Sequence, residues 1–209
     1  MTLVKICGLK DPDLVRFCAA EGVDWLGFVF AAQSPRYVTP EAAESLLLGC
    51  CGATPVALMV DPDDALIDRV CGLGMPVLQL HGSETPERVT AIKARTGCEV
   101  WKAIGVETAA DLAAADAFTA ADRLLIDAKP PKGADRPGGH GQAFDWSILE
   151  GWTSPKPWLL AGGLTPENVA GAIRATGAPA VDASSGLERV KGFKDRELVR
   201  AFLRAVKDA

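Results

Sequence analysis

A lysine and a cysteine stand two residues apart in the run Val4-Lys5-Ile6-Cys7-Gly8-Leu9. Read as a short buried strand, its alternation sends Val4 and Ile6 to one face and Lys5 and Cys7 to the other. The aliphatic pair suits a hydrophobic layer. A cation beside a thiol does not, and a strand end that turns both inward marks a candidate site. A thiolate is a base or a nucleophile, and a neighbouring ammonium favours it. Gly8 lets the chain bend where the thiol would surface.

Other residues carry complementary chemistry. Asp127 ends the apolar run Arg123–Asp127, and a carboxyl held near a substrate anion can keep a proton to donate. Gly162-Gly163-Leu164-Thr165 leads into a helix start and Ala183-Ser184-Ser185-Gly186 follows another apolar run; small residues there let backbone N–H groups crowd an anion. Arg36, between Pro35 and Tyr37, carries a planar guanidinium that can grip a carboxylate by two bonds. Taken alone, the residue would favour a solvated loop arginine. Asp182 alternates onto the face that Lys5 occupies, and a Lys5–Asp182 pair is expected to hold the lysine and moderate its effect on the thiol. His81 reads as a supporting histidine and His140 as solvent-facing. Gly138-Gly139-His140-Gly141 could add amides to an anion site, cover it, or simply connect.

The elements that must position these groups alternate strand and helix. Strands are expected near Val4–Cys7, Trp25–Phe30, Pro55–Val60, Pro76–His81, Glu99–Ile104, Arg123–Asp127, Pro157–Ala161 and Ala180–Ala183. Helices are expected to open at Asp11-Pro12, Thr39-Pro40, Asp61-Pro62, Pro86, Thr165-Pro166 and Asp195, with a helical segment over Thr108–Ala115 and a short helix near Asp145-Trp146. Such repetition predicts a parallel α/β protein closed into a (β/α)8 barrel, with chemistry at the C-terminal strand ends. An open doubly wound sheet would want a glycine-rich turn after the first strand, where only Gly8 stands. No linker divides the 209 residues, so one domain over 1–209 is expected.

Composition narrows the classes. An apolar fraction of 48% with 23% charged residues is that of a globular protein. A net charge of −5 with scattered basic residues argues against nucleic acid or an anionic membrane as partner. The sequence offers no signal-peptide pattern and no apolar run of spanning length, so a cytoplasmic location is expected. The six cysteines include no Cys-x-x-Cys pair and no zinc spacing, which argues against a metal site, disulfides or a thiol redox protein. Cys18, Cys71 and Cys98 are expected to be small buried hydrophobes, and Cys50-Cys51 a helix end.

In order along the chain, Lys5-Ile6-Cys7-Gly8, Ser34-Pro35-Arg36, Gln79-Leu80-His81-Gly82, Leu125-Ile126-Asp127, Gly138-Gly139-His140-Gly141 with Phe144-Asp145-Trp146, Ala161-Gly162-Gly163-Leu164 and Asp182-Ala183-Ser184-Ser185-Gly186 resemble phosphoribosylanthranilate isomerase. The resemblance spans the whole chain. It implies an aldose–ketose type isomerase of tryptophan biosynthesis, converting N-(5-phosphoribosyl)anthranilate to 1-(2-carboxyphenylamino)-1-deoxyribulose 5-phosphate by an Amadori rearrangement. It implies Asp127 as general acid at the furanose ring oxygen, Cys7 as general base at C2′, and Arg36 on the anthranilate carboxylate. Gly141, Gly162, Gly163, Asp182, Ser184, Ser185 and Gly186 are assigned to the substrate, with Lys5 and His81 in support. No cofactor is implied, because the imine is itself the electron sink. The expected partner is a small phosphoribosyl substrate, on a monomer or homodimer. A non-catalytic sugar-phosphate-binding barrel and a dual-specificity isomerase also serving histidine biosynthesis are the alternatives.

Overall fold

The computed structural model describes residues 1–129 and 145–209. Strand β1 (Leu3–Cys7) is followed by helix α1 (Pro12–Ala20), then β2 (Trp25–Val29), α2 (Pro40–Leu47), β3 (Thr54–Met59) and α3 (Asp64–Gly72). Next come β4 (Val77–Leu80), α4 (Pro86–Thr96), β5 (Glu99–Val106), a 3₁₀ segment (Ala109–Ala117), β6 (Arg123–Ala128) and a 3₁₀ turn (Trp146–Leu149). The chain ends with β7 (Trp158–Leu160), α5 (Val169–Thr176), β8 (Ala180–Ala183), a 3₁₀ turn (Ser185–Leu187), β9 (Glu188–Val190), β10 (Phe193–Lys194) and α6 (Arg196–Lys207). Strands β1 to β8 pair in sequence order, all parallel, and β8 returns to β1 to close the barrel.

Local signals account for most of the helices. The side chains of Asp11, Thr39 and Thr85 accept from the first-turn backbone of α1, α2 and α4, each of which has proline in that turn. Helix α6 buries Val199, Phe202, Leu203 and Val206, an i, i+3, i+4, i+7 stripe that faces the barrel. Inside the barrel a separate apolar cluster includes Trp25, Val56, Val77, Trp101, Leu125 and Leu159. Val4 and Ile6 belong instead to the larger core outside the sheet. The alternation read from β1 therefore holds, and Lys5 and Cys7 point inward.

Several expected boundaries shift. Helix α3 is capped by Asp63, whose Oδ1 accepts from Leu66 N at 2.8 Å, and not by Asp61. Asp61 Oδ1 instead accepts from the backbone and hydroxyl of Ser83, at 2.7 and 3.0 Å, in the loop after β4. Helix α5 begins at Val169, after the predicted Thr165 start, because Asn168 ties the preceding turn together: Thr165 N donates to its Oδ1 at 2.8 Å and its Nδ2 donates to Gly163 O at 2.9 Å. The segment after β5 is 3₁₀ and buries only Leu112 and Ala115, three residues apart, as a three-residue turn requires. Strand ends move by one or two residues, with β2 stopping at Val29, β4 at Leu80 and β5 running on to Val106. Cys18 is buried, but Cys71 and Cys98 are only partly so and place their sulfurs 3.9 Å apart.

The antiparallel β9–β10 hairpin was not anticipated. Its signal lies in Val190-Lys191-Gly192-Phe193, strand-forming residues around a glycine at φ +84°. Gly192 packs against the Pro35 carbonyl, and Lys10 lies 4.0 Å over the Phe193 ring while donating to Pro35 O at 3.2 Å. The hairpin thereby closes onto the loops after β1 and β2.

Candidate active site

The register of β1 against β8 sets Lys5 opposite Asp182, and Lys5 Nζ donates to Asp182 Oδ1 at 3.0 Å. This is the pair expected from alternation, and Lys5 is fully enclosed. Burial pulls the Lys5 ammonium down, yet Asp182 and Cys7 together outweigh it and hold the group above its ordinary value. Burial pushes Asp182 up, with Lys5 opposing and Asp127 adding to the rise. Two charges sequestered in this way answer each other.

Cys7 sits just beyond Lys5 on the same face. Its sulfur packs against Gly27 of β2, where a Cβ would lie 2.9 Å from Sγ, so a larger residue at 27 would displace the thiol. Gly27 shapes the site and was not singled out from the sequence; its place inside the apolar Trp25–Phe30 run was the available signal. Burial pushes the Cys7 thiol above its ordinary value, and Lys5 and Lys194 oppose without prevailing. Asp182 engages Lys5, as the pairing read from alternation expects, and desolvation of the thiol outweighs the lysine's pull.

Asp127 lies near the end of β6. Its Oδ1 accepts from the Ala128 backbone at 2.8 Å, and its Oδ2 lies 3.2 Å from His81 Nε2. His81 follows β4 directly, and its loop is fixed from outside the barrel. Buried Lys102 donates to Gly82 O at 2.7 Å and Glu84 Oε2 at 2.8 Å, while Glu84 accepts from the backbones of Asp61 and Gly82. Gly162, at φ +86°, passes so close that a Cβ would lie 2.6 Å from Ala128 N and 3.0 Å from Asp127 Oδ1. Only glycine fits there, on backbone and contact grounds alike.

Arg36 is buried and already has a partner. Its Nε and Nη2 donate to Glu188 Oε1 and Oε2 at 2.7 and 2.8 Å, a two-bond fork. Glu188 also accepts from Gly192 N at 2.8 Å and pairs with buried Lys194. Burial would raise its carboxyl, but Arg36 and Lys194 prevail and hold it at about 2. A ligand carboxylate cannot use the edge that Glu188 occupies. The guanidinium keeps its Nη1/Nη2 end, since Nη1 donates to nothing among the described residues. The Arg36 stem crosses Gly8, where a Cβ would lie 2.3 Å from Cδ. Glu188 is a second residue that the sequence reading passed over.

The loops after β7 and β8 converge, with Gly186 against the Leu164 carbonyl. Ser184 Oγ donates to the Cys7 carbonyl at 3.0 Å, tying the second loop to β1. Among the described residues, the backbone N–H groups of Gly162, Gly163, Ser185 and Gly186 donate to no protein acceptor, so they remain available to an anion. Gly141 and the rest of Gly138–Gly141 lie outside the described residues. One end of the barrel thus gathers Cys7, Arg36, His81, Asp127, Gly162, Gly163 and Ser184–Gly186, with Lys5–Asp182 beneath. No helix among the described residues is long and apolar enough to cross a membrane.

Comparison with known proteins adds an independent line. Residues 4–205 match the family model described as N-(5′-phosphoribosyl)anthranilate (PRA) isomerase. The N-(5′-phosphoribosyl)anthranilate isomerase of Hyphomonas neptunium is 67% identical over 207 residues, covering 99% of this chain and 98% of that one. The fold is similar to that of phosphoribosyl anthranilate isomerase from Thermotoga maritima, with a TM-score of 0.89, 34% identity and full coverage of both chains. It is also similar, at a TM-score of 0.84, 30% identity and full coverage, to a phosphoribosyl anthranilate isomerase in complex with reduced 1-(o-carboxyphenylamino)-1-deoxyribulose 5-phosphate.

Proposed function

From the premise that this chain belongs to the N-(5′-phosphoribosyl)anthranilate isomerase family, and so is an isomerase of tryptophan biosynthesis, we propose that it works by an Amadori rearrangement with Asp127 as acid and Cys7 as base. Asp127 donates its proton to the furanose ring oxygen as the C1′–O4′ bond breaks, and the anilino nitrogen's lone pair forms the Schiff base. Cys7 then removes the C2′ proton, and the electron pair flows to the iminium nitrogen to give the enolamine. Tautomerisation yields the ketone. A buried thiol is a strong base once it has released its proton to water, and the adjacent iminium cation is the charge that favours this ionisation before the C2′ proton is taken.

The observation that carries this assignment is the division of labour between the inward carboxylates. Asp182 is neutralised by Lys5 at 3.0 Å, whereas Asp127 sits nearer the mouth with His81 as its neighbour. Asp127 is therefore the carboxyl available to hold a proton beside substrate. The other assignments follow from chemistry. The open end of Arg36 takes the anthranilate carboxylate, and the free amides of the loops after β7 and β8 take the phosphate.

The test follows the loss of anthranilate-type fluorescence when freshly generated phosphoribosylanthranilate meets the protein. Cys7→Ser and Asp127→Asn are each expected to slow turnover by about 10²–10⁴-fold. Full turnover by Cys7→Ser would remove the thiol from the mechanism, and full turnover by Asp127→Asn would remove the acid.

A further inference from the structure

Gln79 lies wholly buried on β4, two residues before His81, so alternation turns both side chains to the interior. Its Nε2 lies 2.9 Å from His81 Nδ1. An amide nitrogen donates and does not accept, so Nδ1 is the acceptor and a neutral imidazole carries its hydrogen on Nε2. That nitrogen is the one facing Asp127 Oδ2 at 3.2 Å. The donors run in one direction, from Gln79 through His81 to Asp127.

The other half of the amide is a cost. Gln79 Oε1 is buried with no partner among the described residues. An unpaired buried acceptor is destabilising, a cost that a methionine of similar length would avoid. Local rules are broken in this way most often where a site demands it.

We propose that Gln79 is a positioning residue that locks His81 as the neutral tautomer with hydrogen on Nε2, so that Asp127 faces a neutral donor and keeps its proton until ring opening. The inference deepens the reading above and rests on Asp127 as general acid. An imidazolium 3.2 Å away would favour the Asp127 carboxylate and empty the acid before substrate arrived. A neutral N–H donor lacks that full charge, yet steadies the carboxylate left behind once the proton has moved. The other ionisable groups facing the pair do not replace this control. Asp182 on β8 is closed by Lys5 on β1, and Cys7 on β1 is held in its thiol form by burial.

Nitrogen-15 NMR of the histidine side chains tests the tautomer without turnover. The two histidines are His81 and His140, and a His140→Asn variant assigns them. At neutral pH, His81 Nδ1 is expected to show the shift of a bare ring nitrogen and Nε2 that of a protonated one. A protonated Nδ1 in the wild type would overturn the proposal. Gln79→Glu sets an acceptor against Nδ1 and should protonate both nitrogens. Its kcat should fall about 10–100-fold with little change in KM, and the alkaline fall in kcat should move to lower pH by about one unit. An unmoved pH profile in a Gln79→Glu protein whose His81 is doubly protonated would also sink it. Gln79→Met removes the donor without adding charge, and loss of the single tautomer is expected there; a retained Nε2–H tautomer would count against Gln79. Failure of the acid assignment is read separately, as turnover surviving in Asp127→Asn while the wild-type tautomer stands.

Discussion

Arg36 and Glu188, 152 residues apart in sequence, meet through paired hydrogen bonds of 2.7 and 2.8 Å. The contact joins the loop after β2 to the hairpin after β8, passing over β1 between them. It fixes which edge of the guanidinium points to substrate. Glu188→Gln should therefore raise KM for phosphoribosylanthranilate by about tenfold while leaving kcat within about threefold, because the clamp loosens but the acid and base stay put. Steady-state fluorescence assays would show it, and a fall in kcat with KM unchanged would contradict the assignment.

The same carboxylate links stability to pH. Its folded value of about 2 lies below the ordinary 4.5, so its contribution is fully present above pH 4.5 and is lost as pH falls toward 2. At pH 7 Glu188→Gln should cost about 3 kcal/mol in urea unfolding. Relative to wild type, that deficit should shrink steadily from pH 4.5 downward. A deficit independent of pH would mean that packing, and not the charge, carries the effect.

Removing one member of the Lys5–Asp182 pair strands the other in the barrel. Lys5→Met is expected to destabilise by about 3–5 kcal/mol, and Lys5→Met with Asp182→Leu to recover most of that loss. A double variant as unstable as the single would show that the pair contributes more than mutual neutralisation.

Thiolate absorbance near 240 nm reads Cys7 directly, by difference against Cys7→Ser. Burial sets the thiol above its ordinary value and Lys5 only partly opposes, so the titration should lie above the free-cysteine range and rise further in Lys5→Met. Ionisation near neutrality in the substrate-free protein would overturn this. As the thiol ionises, folded stability should decline: the raised value favours the folded state below the ordinary thiol range and is lost through the folded value.

Gly162→Ala tests how closely the loop after β7 is moulded to the acid. A Cβ there meets Ala128 N and Asp127 Oδ1, and its φ of +86° disfavours any side chain. Turnover should fall about 100-fold and KM rise together, since both Asp127 and the anion loop are displaced. Near-normal kinetics would place the anion elsewhere.

Much of this site could be read from residue order because the barrel converts strand ends into neighbours. Alternation alone placed Lys5 opposite Asp182, since β1 and β8 close the ring in register. What stayed hidden depended on distances that no local pattern encodes. Glu188 has the look of a solvated residue in a charged stretch, and only the hairpin fold brings it to Arg36. The thiol's high proton affinity is hidden for a related reason: the neighbouring lysine and its pairing with Asp182 are visible in sequence, whereas full enclosure of the thiol is not. Asn168 likewise resembled a residue inside a helix until its contacts with Thr165 and Gly163 showed it shaping the turn.

The reach of the Lys5–Asp182 contact, 177 residues, has a consequence for synthesis. A chain emerging from the ribosome presents Lys5, Cys7 and Arg36 long before Asp182 and Glu188. Until Asp182 has been made, the lysine has neither that carboxylate to meet nor a closed interior to enter. The pocket is therefore among the latest parts of the molecule to form, and nascent chains stalled before Asp182 should lack it however much helix they contain.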